Sequence, residues 1–469
     1  MLTSTVLSES PAHVVAGQPL NLSAAVGSKQ GTPTGSVVFK QAGIVQTSPA
    51  LTAGIAETTL SAPLSVGQYG YTALYTGDGT YSGSLSQRLV VTVSQASTTT
   101  IVTSSDSTSK LGQSVTFTAT IAPQFSGEPS GTVKFFADGA PLGTSNVSGG
   151  QATISTAALA MGKHTIEADY SGDASFITSL GLMKQNVGKA VSTVALTSSL
   201  NPAAYGQPVT VTATVTNSDG TTPTGPIVFA EGSTVYGTVS LSGGAAQITL
   251  PTLIVGKHKI TAQYGGDTTD AADNATLTET ITGGPSTTTV SSSAQPSIYG
   301  QSVTFTAVVS GGGATPDGTV TFKNGGAVLG TVALAGGQAV FAVNTLTGGS
   351  HTINAVYNGN SMYTSSTGSV PQIVEPVATS TSLTSSLNPA PSGQTVTLTA
   401  VVTSPAAALP TGKLTIKDGK IVLISTTLVN GQVQISTSLL TTGAHNITAT
   451  FAGSASYAAS QTTLSQLIQ

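Results

Sequence analysis

The chain has 469 residues, a net charge of −4 and only 7% charged residues, against about 25% in an ordinary soluble domain. It contains no cysteine, which excludes disulfide staples, thiolate metal sites and thiol catalysis. The few Lys and Arg are scattered, so nucleic acid and anionic lipid are poor partners, and no run of about 18 apolar residues could span a bilayer.

From the N-terminus, Met1–Val6 runs straight into a strand-like pattern without the charged start, apolar stretch and cleavage site of a signal peptide. The chain reads as a segment of something longer. A dipeptide Gly-Gln then recurs at Gly17, Gly112, Gly206, Gly300 and Gly393, at spacings of 95, 94, 94 and 93 residues. Such a fixed period is the mark of a repeat architecture. After each Gly-Gln, apolar or small residues alternate with polar ones, as in Val115-Thr116-Phe117-Thr118-Ala119 and Val303-Thr304-Phe305-Thr306-Ala307. Period two with one apolar face predicts a sandwich strand.

Further along each repeat, Pro-x-Gly at Pro33, Pro129, Pro223, Pro316 and Pro410 opens a second strand, since proline is confined to strand starts and edges. Asp138-Gly139, Asn324-Gly325 and Asp418-Gly419 close tight hairpins. Gly149-Gly150, Gly243-Gly244, Gly336-Gly337 and Asn430-Gly431 supply the next turn. Leu-x-x-Gly-x-[His/Tyr] then leads into the penultimate strand. The pattern predicts an all-β protein of five tandem immunoglobulin-like, seven-stranded β-sandwich domains in an elongated array, over residues 1–94, 95–189, 190–284, 285–378 and 379–469. With sandwiches about 35 Å long, five in series reach on the order of 170 to 200 Å. The Ser/Thr-rich joints, 95–100, 188–193, 283–289 and 376–382, are too short to be floppy linkers.

The stretches Gly-Gln-Ser-Val-Thr-Phe-Thr-Ala (112–119), Pro-Asp-Gly-Thr-Val-Thr-Phe (316–322) and Gly-x-His-x-Ile-x-Ala-x-Tyr (349–357) resemble the bacterial Ig-like repeat domains (group 3 type) of large secreted or cell-surface proteins. The resemblance covers essentially the whole chain. It implies an extracellular or cell-surface location and a role in display, spacing or adhesion. It fixes architecture more firmly than ligand, because one sandwich scaffold hosts many tasks.

Four of the five histidines fall at one repeat position, His164, His258, His351 and His445, with Tyr69 in the first repeat. A once-per-domain histidine cannot build a metal cluster, and tyrosine could not replace it as a ligand without changing the site. The position instead suggests a tyrosine corner, its side chain hydrogen-bonded to backbone across the turn before the penultimate strand. His13 reads as a surface-loop residue. The loop acids Asp78, Asp173 and Asp267 offer one carboxylate per loop, too few for calcium and suited to turn capping. Lys40, Lys323 and Lys417 have outward parity, and Ala230 stands there in the third repeat, so they read as solvated lysines and not as isopeptide donors.

With no tryptophan and tyrosines on inward or turn positions, no solvent-facing sugar platform is evident. Nor is there a phosphate loop or nucleophile elbow. The sequence therefore points to a non-enzymatic extracellular spacer or stalk with no cofactor and no metal. Two alternatives stand beside it: a subunit of a self-associating filament, its partner being the chain itself, and an adhesin binding a glycan or protein of a host or matrix surface through domain loops. The divergent stretches 41–50 and 218–222 are the places where such loops would lie.

Overall fold

The chain, described by a computed structural model over residues 1–60 and 64–469, folds as five repeated β-sandwich units of immunoglobulin-like type; no described residue is helical. The second unit shows the pattern. Its seven strands are Thr98–Ser104, Val115–Pro123, Thr132–Ala137, Ala140–Asn146, Gln151–Thr156, Gly162–Tyr170 and Ser179–Val187. The first, second and fifth make one antiparallel sheet, and the fourth, third, sixth and seventh make the other.

Alternation along the strands builds the core. Val115, Phe117 and Ala119 from one sheet meet Val133, Phe135, Ile166, Ala168 and Tyr170 from the other, all at or near zero exposure. Their Thr neighbours in the second strand look outward, where β-branched hydroxyls suit a half-buried surface. Each fully buried aromatic or branched aliphatic contributes about 1.5 to 3 kcal/mol.

The recurring Gly-Gln has a physical reason. The glycine takes a left-handed φ, +77° at Gly112 and +86° at Gly206, and the following glutamine closes its own turn, Gln113 Oε1 accepting from the Lys110 amide at 2.8 Å. The glycine also lies where the next unit arrives. A Cβ added at Gly17 would fall 1.8 Å from the Ser126 carbonyl oxygen, at Gly112 2.4 Å from Asp219 Cα, and at Gly206 2.4 Å from the Gly312 carbonyl carbon. Only a residue without a side chain fits there.

The joints are built structure. Ala96, Ala190, Gly284 and Val377 each make a parallel bridge to the loop between the sixth and seventh strands of the unit they open, at Phe176, Asp270, Tyr363 and Tyr457. Across the joints, Ser126 Oγ donates to the Gly17 carbonyl at 2.9 Å, and the Gly348 amide donates to Ser456 Oγ at 2.9 Å. Tyr205 and Tyr299 meet Tyr363 and Tyr457 edge to face, each with ring centroids 5.2 Å apart.

At the start of each unit, a short segment after the first strand crosses to the other sheet and pairs parallel with the last strand. Val14–Val15, Ala203–Ala204 and Ser297–Ile298 form strands there, and Lys110 and Ala390 make single bridges to Gly188 and Ile468. The outer fourth strand is bulged against the third in all five units, at Phe39/Lys40, Phe135/Phe136, Phe229/Ala230, Phe322/Lys323 and Ile416/Lys417.

Candidate functional site

The sixth strand begins at a glycine corner, Gly162, Gly256, Gly349 or Gly443, and two residues later a side chain folds back over that corner. In the second to fifth units this is His164, His258, His351 and His445, whose Nε2 faces the carbonyl four residues earlier: Ala160 at 2.7 Å, Ile254 at 2.8 Å, Thr347 at 2.7 Å and Thr441 at 2.5 Å. In the first unit the Tyr69 hydroxyl donates to the Ser65 carbonyl at 2.8 Å. The rings thus tie the corner to the strand it starts.

The second ring nitrogen carries the chemistry. Nδ1 of His164 lies 2.7 Å from Asp138 Oδ2, that of His258 3.0 Å from Glu231 Oε1, and that of His445 2.6 Å from Asp418 Oδ2. Each acid sits where the third strand ends, Asp138 just past it and Glu231 and Asp418 as its last residue, 26 or 27 residues upstream. A carboxylate and a carbonyl only accept, so the doubly protonated ring is the form that satisfies both. The fourth unit differs: Asn324 Nδ2 donates to His351 Nδ1 at 2.9 Å, and a neutral ring suffices.

The titration follows this geometry. The Ala160 carbonyl, then Asp138, outweigh burial and raise the pKa of His164; the Thr441 carbonyl and Asp418 do the same for His445. Asp138 is held low by the Thr165 amide and by His164. In the third unit burial pushes Glu231 up, but Tyr236 and His258 together outweigh it and its pKa falls.

The loop acids are spent on backbone. Asp78 accepts from the Thr80 and Tyr81 amides at 2.7 Å each through Oδ1, and from Thr34 Oγ1 at 2.7 Å through Oδ2. Asp173 and Asp267 repeat this with Ser130 and Thr224. The Thr34 and Thr224 hydroxyls, with the loop amides, hold Asp78 and Asp267 well below the usual carboxylate range; at Asp173 burial pushes the pKa up, but the Ser130, Ser175 and Phe176 bonds together outweigh it and the pKa falls. They pin the loop between the sixth and seventh strands to the Pro-x-Gly turn. Among the described residues, no group of three or more His, Cys, Asp or Glu converges to hold a metal ion. His13 is exposed, and Lys40, Lys323 and Lys417 are half-buried or exposed.

Sequence reasoning missed the acids that face the histidines and two more acids inside the third unit. Glu279 has no exposure, and neither of its oxygens has a partner; Asp270 is 2% exposed with Oδ1 unpartnered. The tyrosines Tyr71, Tyr75, Tyr170, Tyr264 and Tyr357 are buried in the cores.

The family described as bacterial Ig-like domain (group 3) matches five times, at residues 7–94, 102–187, 196–282, 288–375 and 383–468. Only Ig-like repeats are detected, a type that is typically non-catalytic and typical of secreted and surface proteins of bacteria. No curated protein matches the chain. Among solved structures, Sidekick-1 immunoglobulin domains 1–5 are 14% identical over 99% of this chain and 98% of theirs, with a TM-score of 0.24. A Ca2+-stabilised ice-binding adhesin of an Antarctic bacterium is 16% identical over 80% of this chain and 100% of its own, with a TM-score of 0.28. The fibronectin(III)-like modules of Clostridium thermocellum CbhA are 20% identical over 39% of this chain and 95% of theirs, with a TM-score of 0.17.

Proposed function

From the premise that the chain belongs to the bacterial Ig-like domain (group 3) family, we propose that it is a rod-like spacer or stalk at a bacterial cell surface, holding other modules at a distance. The observation that carries this reading is the joint. Four joints repeat one design, a linker residue hydrogen-bonded on both sides to its unit's own loop, as in Ala96 N to Ser175 O and Ile177 N to Ala96 O at 2.9 and 3.0 Å. A chain selected only to connect folded beads has no need of such joints. The chemistry present is local: each corner histidine and each of these loop acids is spent on joining neighbouring turns and strands of its own unit.

Self-association into a filament is the second reading. Exposed apolar residues on the outer fourth strands favour it: Ile44, Val45, Val235, Val328, Ile421 and Val422. The bulge beside each of them works the other way, because a bulged edge twists out of register with an incoming strand. Adhesion through the 41–50 or 218–222 loops has less support, since the second of these packs against the preceding unit through Ser218 and Asp219.

Small-angle scattering on the purified chain across a concentration series tests the proposal. A constant mass near 46 kDa with a maximum dimension on the order of 170 to 200 Å is expected. A compact particle would overturn the spacer reading, and mass growing with concentration would replace it with the filament.

A further inference from the structure

In every unit the loop between the sixth and seventh strands places one side chain at the same spot, beneath the linker wherever a joint precedes the unit. In four units it is aromatic and plugs the loop after the second strand. Tyr81 donates to Gln30 O at 2.9 Å, Tyr363 accepts from the Gly313 amide at 3.0 Å and donates to Ala314 O, Tyr457 donates to Ala408 O at 2.8 Å, and Phe176 is buried. In the third unit the same position holds Asp270. Its backbone makes the same parallel bridge, to Ala190, but its carboxyl has taken the place of a ring.

That carboxyl is poorly served. It is 2% exposed, Oδ1 has no partner, Oδ2 receives the Tyr264 hydroxyl at a long 3.4 Å, and the Asn217 side chain is its other polar neighbour. A buried ionised oxygen without a donor is costly, whereas a neutral acid tolerates such a site. We propose that the joint between the second and third units is a pH-gated hinge, closed while the Asp270 carboxyl is neutral and loosened when it ionises.

The groups around Asp270 act in this sense. Burial is the largest cause raising its pKa; the Asn217 side chain opposes it, and Asp267 and Asp219 raise it further. The Lys189 ammonium on the linker is engaged with the Asp267 carbonyl, and Lys110 of the second unit lies beside Gly188. From the second unit the surface that reaches the 218–219 loop is the uncharged Leu111-Gly112 turn. A raised carboxyl favours the closed joint below the free aspartate value of 3.8. That stability is lost as pH rises through the raised value, so the hinge is loosest at neutral pH and above.

Hydrogen exchange on the full chain, read by mass spectrometry between pH 3.5 and 8 and corrected for intrinsic rates, tests this. The reporters are the Ala190 and Ala271 amides, which bond Thr269 O and Ala190 O at 2.8 and 2.9 Å. Their protection is expected to fall with pH, by at most about tenfold per pH unit for one proton. The sister pairs Ala96/Ile177, Gly284/Thr364 and Val377/Ala458 should stay flat, and Asp270→Asn should flatten the third-unit pair. A wild-type joint with no more pH dependence than its three sisters would overturn the hinge, as would a fall that persists in Asp270→Asn. Should that variant fail to fold, the comparison of the four wild-type joints decides alone.

Discussion

The third and fourth units have the same strand order and register, yet at three matched places the third carries an acid where the fourth carries a neutral group. Glu279 stands where the fourth has Gln372, Asp270 where it has Tyr363, and Glu231 faces His258 where Asn324 faces His351. The sandwich is set by alternating apolar strands and turn residues, so it accommodates both sets. What the exchanges alter is how each unit's stability answers to protons and to unmet hydrogen bonds.

The glutamine position separates the two units most sharply. Gln372 Nε2 donates to Ala294 O at 2.9 Å and Ser297 Oγ at 3.0 Å, and Gln466 in the fifth unit donates to Leu387 O at 2.9 Å. The third unit repeats the fifth's Leu-Asn-Pro-Ala at Leu200–Ala203, but its Glu279 has no amide to give. Glu279→Gln should therefore stabilise the third unit by about 1 to 3 kcal/mol, and Gln372→Glu should cost the fourth at least as much. Denaturant titration followed by exchange of the seventh-strand amides checks both, and a neutral Glu279→Gln would end the argument.

The clamps give a smaller and pH-dependent difference. Asn324→Asp should convert the fourth unit to the charged kind and raise the midpoint of His351 in an NMR titration. The gain, about 1 kcal/mol, is full below the free histidine value near 6.5 and disappears as pH rises through the raised one. The second and fifth units, with His164 and His445 already raised, should lose stability over that same range in the wild type.

The smallest effect concerns the aromatic joint. Tyr205→Ala removes the edge-to-face contact with Tyr363 and the hydroxyl oxygen that accepts from the Ala314 amide at 3.3 Å. A loss of about 0.5 to 1.5 kcal/mol should increase exchange at Gly284 and Thr364. Sixth-strand amides of the fourth unit should not change; if they do, the tyrosine supports the unit and not the joint.

The β class and the five-fold repetition were legible because glycine, proline and period-two alternation act over a few residues. The partners of the histidines were not, since Asp138, Glu231 and Asp418 lie a whole hairpin upstream, where Asp138 and Asp418 read as turn residues and Glu231 carried no reading. One signal was available: the residue before the turn glycine is Asp, Glu, Asn or Asp wherever the corner is histidine, and Ala42 where it is Tyr69. Glu279 and Asp270 left a comparable trace, an acid at positions where sister repeats carry glutamine or an aromatic. Which of them lacked a donor required the packed structure, because satisfaction of a buried group depends on strands some 80 residues apart.

The short parallel pairing between the start and the last strand of each unit, Ala203 with Ile281 or Ser297 with Val374, bears on how a unit would answer a pull on its ends. A pull on the two ends of a unit draws these neighbouring strands in opposite directions along their own axes. Their hydrogen bonds are then stretched together in shear, where a hairpin pulled from its open end would release them one by one. Every unit has this latch, so a stretched array is expected to resist at five points, each giving way before the sandwich behind it is drawn out.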